Sequence, residues 1–239
     1  METVNRVYFT NSKQISNYYH CFVDFLPVIY VLYKDYDINE IFFDVGSGKI
    51  DFIKPIIFYL FDNKLKAKKI PTHLLGSIEK SIDCNNIRYK INNDFIQYIR
   101  QFREKKQYQF NKILIKRNNR YICKEIISFL LNDHGFVEVE LEKYNVIDQI
   151  NLFYNAQYVI GSHGAGLTNM LFANKNTKIL ELNNGFNLKT FTKLSKFCEC
   201  SYKAINSDSF SKLKDNYDLA KQSEFNMDLI TFKKIFNDL

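Results

Sequence analysis

The chain has 239 residues, 46% of them hydrophobic and 16% aromatic, with 33 basic against 26 acidic side chains and a net charge of +7. That length and apolar content predict a globular protein of one large or two small domains and exclude a disordered chain. The basic excess favours an anionic partner, whether nucleic acid, a membrane surface or a phosphorylated donor, without choosing among them. No charged-then-apolar leader is visible and no apolar run reaches about 18 residues, so a cytoplasmic protein is expected.

Taken in chain order, "NYYHCFVDFLPVIYVLYKDY" (17–36) predicts an aromatic helix that ends in a surface turn, and "EIFFDVG" (40–46) a strand stopped by glycine. "FIKPIIFYLF" (52–61) reads as a helix. The densest basic cluster, "KLKAKK" (64–69), has no interleaved aromatics and reads as a solvated helix end or loop. "FIQYIRQFREK" (95–105) is amphipathic, with Phe95, Ile99 and Phe102 on one face, and the polar "KKQYQFN" after it reads as a connection. The domain boundary is placed there, giving 1–108 and 109–239.

The second half alternates strand "KILIK" (112–116), helix "KEIISFLLNDH" (124–134), strand "FVEVEL" (136–141), helix "VIDQINLFYNA" (146–156), strand "YVIG", a further helix, and strand "KILEL" (178–182). Such alternation predicts a parallel sheet covered on both faces, with ligands at the carboxyl ends of its strands. The terminal "DLITFKKIFNDL" (228–239) carries Leu229, Phe232, Ile235, Phe236 and Leu239, an apolar face that should dock on the body.

Five cysteines, at 21, 84, 123, 198 and 200, form no C-x-x-C pair and leave an odd count, which implies a reduced compartment and structural thiols. Cys198-x-Cys200 has no nearby His to complete a zinc site.

Glycine is scarce, 8 in the chain, yet Gly161, Gly164 and Gly166 fall within "YVIGSHGAGLTNMLF" (158–172) at a strand-to-helix junction. Glycine permits positive φ and close approach to the backbone, and the N–H groups opening the next helix suit an anion, a phosphate first of all. His163 adds a hydrogen-bonding group that titrates near neutral pH. The G-x-x-G-x-G spacing is neither the dinucleotide fingerprint nor the P-loop, so NAD and ATP are poorly supported, and a purely structural turn is the alternative.

Four segments then read together. "NYYHCFVDFLP", "RNNRYICKE", "DQINLFYNAQYVIGSHGAGLTNMLF" and "KILEL" occur in an order and at distances that resemble the family 61 glycosyltransferases, a group of inverting enzymes. The likeness runs from Asn17 to Glu181. It implies two Rossmann-like α/β lobes, GT-B-like, with a reduced N-terminal acceptor-side lobe, a C-terminal lobe for the nucleotide sugar, and a C-terminal helix packing back on the body. The implied partners are a nucleotide sugar, a UDP-sugar first, and a glycan or glycosylated carrier, with no metal or other cofactor and with peripheral membrane association allowed. No nucleic acid is expected.

Transfer with inversion needs a deprotonated acceptor hydroxyl and a stabilised leaving diphosphate. For the leaving group the candidates are Arg117, Arg120 and the turn residues Ser162, His163, Gly164, Ala165 and Gly166, because preorganised donors stabilise developing charge. Without the family pattern, surface salt bridging would be the preferred reading of the two arginines. His163 is expected on the donor's phosphate or sugar, or else as a turn-stabilising imidazole. Glu181, at the end of "KILEL", is expected to accept from ribose or sugar hydroxyls, with an ordinary helix cap as the alternative. His20 and Asp24, at i and i+4, share a helix face, and either could take the acceptor proton, Asp24 being preferred. A buried pair that only fixes the helix is the structural alternative. Gln149 and Asn155 are assigned no chemistry.

Three rival readings stand beside this one. Asp35-x-Asp37 after an apolar run could hold Mg²⁺ or Mn²⁺ in a metal-dependent transferase. A transferase fold could serve as a non-catalytic sugar-nucleotide or glycan-binding module. The charge alone motivates a nucleic-acid binder, which no recognised motif supports.

Overall fold

The computed structural model describes residues 6–10, 12–36, 38–45, 52–61, 64–70, 82–83, 91–104, 107–118, 120–186, 189–214 and 216–239. Two compact units divide between Gln101 and Phe102, whereas the sequence reading changes domain at 108. Each unit is a parallel α/β structure.

The first unit holds four parallel strands, β1 (Arg6–Thr10), β2 (Glu40–Phe43), β3 (Lys66–Lys69) and β4 (Ile82–Asp83), in the order β3-β2-β1-β4. Val7 and Phe9 on β1 and Ile41 and Phe43 on β2 are buried, and the alternation stacks Phe9 on Phe43 at 5.3 Å and Tyr8 on Phe42 at 4.7 Å. The basic cluster is a strand, not the expected helix end or loop. Its order comes from pairing with β2 and from the buried Leu65 and Ile70 on either side, while Lys66, Lys68 and Lys69 stay exposed. Lysines on a strand at the end of a sheet discourage further strand pairing, which is a sufficient reason for them.

After β1, Tyr18–His20, a π-helical turn Cys21–Phe25 and the helix Leu26–Asp35 run on without a break, opened by Asn17, whose side chain accepts from the Tyr19 amide at 3.0 Å. Asp35 sits at the end of this helix. Asp37 lies outside the described residues, as does Cys84; the other four cysteines are free thiols. Helix Asn93–Arg100 buries Phe95 and Ile99 as expected, together with Ile96, but it ends before Phe102, which lies in the turn beyond it and is only partly buried.

The second unit holds β5 (Lys112–Ile115), β6 (Val137–Val139), β7 (Tyr158–Ser162), β8 (Lys178–Asn183) and β9 (Ser201–Asn206), all parallel, in the order β6-β5-β7-β8-β9. Numbered within the unit this is 2-1-3-4-5, a doubly wound order whose strand direction of travel reverses between the first and third strands. That switch point falls between β5 and β7. The segment after β7 is a 3-10 helix, Ala165–Phe172, where the sequence predicts a helix without specifying its type.

Leu114, Ile160, Leu180, Leu182 and Ile205 pack against Ile126, Phe129 and Leu130 of the crossover helix, and Phe232 of the terminal helix Leu229–Asn237 closes the same core. Asp228 caps that helix, its carboxylate accepting from the Thr231 amide at 2.8 Å. Phe232 and Phe236 meet Phe129 edge-on at 6.1 and 5.5 Å. The terminal helix therefore docks as its apolar face predicts. Among the described residues no helix is long and apolar enough to cross a membrane.

Phe232 is fully buried. Phe232→Ala should cost about 3–5 kcal/mol of the second unit's stability, the usual cost of emptying a phenyl site, measured by denaturant unfolding. A loss under about 1 kcal/mol would show that the terminal helix is not part of that core.

Candidate active site

The register of β5 and β7 sets the site. Ile115 pairs with Gly161, so the residues just beyond both strands emerge side by side at the switch point. There the side chain of Arg117 lies against Gly164: a Cβ on Gly164 would sit 3.1 Å from the guanidinium carbon and closer still to Nη1. None of the three turn glycines lies in the left-handed region, and that part of the expectation is corrected. Gly164 is extended, at φ 167. The turn needs glycine for room. A Cβ on Gly161 would meet Ile115 at 3.0 Å, and one on Gly166 would meet Leu141 at 2.8 Å.

Ala165 and Gly166 open the 3-10 helix, and the first amides of any helix lack partners within it. Ser162 Oγ, Thr168 Oγ1 and Arg117 Nε are buried and make no hydrogen bond within the protein. Buried polar atoms without partners are uncommon and are usually satisfied by a ligand or water. The Arg117 guanidinium and the open helix amides at the switch point form a site suited to an anion.

His163 is held by protein groups on several sides. Its Nδ1 lies 2.6 Å from Glu181 Oε1, and its ring stacks on Phe186 at 4.7 Å with 7° between planes, with Phe191 edge-on at 5.1 Å. Arg120, itself buried, places its guanidinium 4.2 Å from the centre of the Phe186 ring. Arg117 and Arg120 face each other as an isolated bridge pair, so one short loop delivers both. Glu181 has no exposed surface, and its second oxygen accepts from the hydroxyl of Tyr202 on β9. Burial first, and the neighbouring Glu181 carboxylate second, push the Tyr202 phenol up, so it stays a donor. The expected direct contact between Glu181 and a sugar or ribose hydroxyl meets a carboxylate enclosed by protein.

Phe186 owes its place to Asn183, whose side chain accepts from the Phe186 amide at 2.9 Å and donates to its carbonyl at 3.0 Å. Neither Tyr202 nor Phe186 was marked by the sequence: β9 lacks an apolar run, and a lone Phe after a strand carries no signal. Gln149 donates to the Leu141 and Tyr144 carbonyls and receives Asn169 from the 3-10 helix, while Asn155 donates to the Glu104 carbonyl. Both are structural, as their lack of assigned chemistry supposes.

In the first unit His20 Nδ1 lies 2.6 Å from Asp24 Oδ2. Asp24 falls inside the π-helical turn that His20 immediately precedes, and such turns are common at functional sites. The side chains are 33% and 39% exposed, so the pair is reachable by solvent rather than entombed. The Tyr19 phenol beside it is pushed up, by burial first and by the Asp24 charge second. Among the described residues no three His, Cys, Asp or Glu side chains gather as metal ligands would.

No curated protein matches the chain. A family model described as Glycosyltransferase 61 matches residues 18–180. The match takes in the His20–Asp24 pair, both arginines and the whole glycine turn, ends just before Glu181, and spans more than half of the chain, which therefore belongs to glycosyltransferase family 61.

Proposed function

We propose that the chain is an inverting glycosyltransferase, its two Rossmann-like units serving as the lobes of a GT-B-like enzyme. It moves a sugar from a nucleotide-sugar donor, a UDP-sugar first, to a hydroxyl of a glycan or glycosylated carrier, and it needs no metal ion. The observation that carries the donor side is the Arg117 guanidinium packed on Gly164 at the start of the 3-10 helix.

In the reaction the acceptor oxygen attacks the anomeric carbon from the face opposite the diphosphate. Its proton passes to the base, and the electrons of the breaking C–O bond go to the departing phosphate oxygen. Charge grows on the diphosphate as this happens. Arg117, Arg120 and the amides of Ala165 and Gly166 supply donors already in place for it, and such preorganised donors act without the cost of reorienting.

Asp24 takes the acceptor proton, with His20 holding its carboxylate through the 2.6 Å contact. General-base catalysis contributes about a hundred- to ten-thousandfold. The exposure of both side chains supports an acceptor reaching them.

UDP should raise the melting temperature of the purified chain equally with Mg²⁺ and with EDTA, because a ligand of the native state stabilises by mass action. Arg117→Ala and Gly164→Ala should each weaken UDP about ten- to a hundredfold, the second by driving the guanidinium from its place, as expected for loss of a charge-assisted hydrogen bond. A shift that required Mg²⁺ and vanished in Asp35→Ala would replace this reading with a metal-dependent one.

With a panel of UDP-sugars and glycan acceptors, Asp24→Asn should lower turnover at least a hundredfold while UDP affinity stays within about twofold. Were Asp24→Asn and His20→Gln both without effect on any transfer the chain performs, the pair would be structural and a sugar-nucleotide-binding module would take precedence.

A further inference from the structure

The donor-binding reading leaves Glu181 unexplained, since a carboxylate with no exposed surface cannot touch a ligand as the protein stands. A buried carboxylate is tolerated when its oxygens are hydrogen-bonded and its charge is balanced. Here Oε1 faces His163 Nδ1 at 2.6 Å and Oε2 accepts from Tyr202. An ionised carboxylate only accepts, so the proton between Glu181 and the imidazole belongs on Nδ1. Nε2 is then the one ring nitrogen left for anything outside the protein.

The ring has little freedom to do otherwise. The 7° stack on Phe186 fixes its plane, and Phe191 closes on it from the edge. Phe186 is held in turn by both polar atoms of the Asn183 side chain. Rotation within the plane is stopped by Glu181, and Glu181 by Tyr202. His163 also adjoins Gly164, on which Arg117 rests, so its position bears directly on the anion site.

We infer that Glu181 and Tyr202 are positioning residues that act on the nucleotide-sugar donor only through His163, fixing its ring with Nδ1–H on Glu181 and presenting Nε2 to the donor. This rests on the donor-binding reading, and it assigns Tyr202, on a strand beyond the family match, to the same machinery. With Nδ1–H held on Glu181, Nε2 is the ring atom through which His163 meets the donor.

Two measurements on the full chain separate this inference from the reading beneath it. Nitrogen-15 NMR of the histidine side chains, with His163 identified by loss of its signals in His163→Gln, should show Nδ1 protonated in the wild type and a mixture of tautomers in Tyr202→Phe. A wild-type ring protonated on Nε2 alone would overturn the inference whatever the ligand does. In UDP titrations, Glu181→Gln and Tyr202→Phe should each weaken binding about three- to tenfold, and each should add less than about twofold when combined with His163→Gln, because residues acting through one partner are not additive. An undiminished effect in the His163→Gln background would mean that Glu181 or Tyr202 reaches the donor by itself, and the inference would fall. Tyr202→Phe keeps the ring and removes one hydroxyl, so it guards against loss of fold in the charge variants. Wild-type protein that bound no UDP would overturn the donor reading and the donor half of this inference, while the NMR result would still decide whether Glu181 fixes the ring.

Discussion

The contact between Ile115 on β5 and Gly161 on β7 governs the crevice of the second unit. These strands are neighbours in the sheet but not in the fold's progression, and each sends its chain away from the other at the carboxyl end. A crevice opens there in any doubly wound sheet. In this one the pairing is tight enough that a Cβ on Gly161 would press on the Ile115 side chain. Everything placed on the crevice is measured from that register: Arg117 stands two residues past Ile115, and Gly164 three past Gly161. A slip of one residue would put Arg117 against a different backbone position and turn every side chain of a strand to its other face.

Above this crevice the residues divide by how much they must move. Groups proposed to meet a highly charged phosphate gain from rigidity, and here burial supplies it: Arg120 lies over Phe186, Phe186 is tied to Asn183, and His163 is bound to Glu181. Burying Glu181 carries a risk, because a buried carboxylate oxygen left without a hydrogen-bond partner is costly. Tyr202 lessens it by satisfying the second oxygen with a phenol that burial keeps protonated. The stability of the second unit and the geometry of its crevice are thus coupled through one carboxylate.

The strands of the second unit were readable because β5, β7 and β8 are buried on both faces and spell apolar runs, "KILI", "YVIGS" and "KILELN". β9, "SYKAIN", is half-buried with a lysine at its centre, so neither a run nor an alternation marks it, and Tyr202 was hidden with it. β3, "KAKK", has no pattern of its own and is a strand only because β2 offers it a partner. The glycine turn was legible as a site but for a partly wrong reason, since spacing cannot tell a glycine that needs positive φ from one that must leave room. Gly164 leaves room for an arginine 47 positions earlier in the chain, a relation that tertiary structure alone reveals. Glu181 offered a clue: a Glu inside a doubly buried strand must either leave the core or find partners within it. Glu181 takes the second course, through His163 and Tyr202.

The His20–Asp24 pair obeys a different constraint. A base must lose its proton again after each turnover, which favours access to water over enclosure. Both side chains remain about a third exposed, although Cys21, Phe22, Val23 and Phe25 around them are buried. The π-helical turn reconciles the two demands. A π-helical turn bonds each amide to the carbonyl five residues back, one further than in an α-helix, and so carries an extra residue that shifts side-chain directions locally. Here it lets four apolar residues face the core while Asp24 stays in reach of His20 and of solvent. The adjacent Tyr19 phenol is kept protonated by burial and by the charge of Asp24. Among the described residues the His20–Asp24 and His163–Glu181 pairs share a 2.6 Å contact and differ in exposure, and that difference is the physical ground on which proton transfer is proposed for one and positioning for the other.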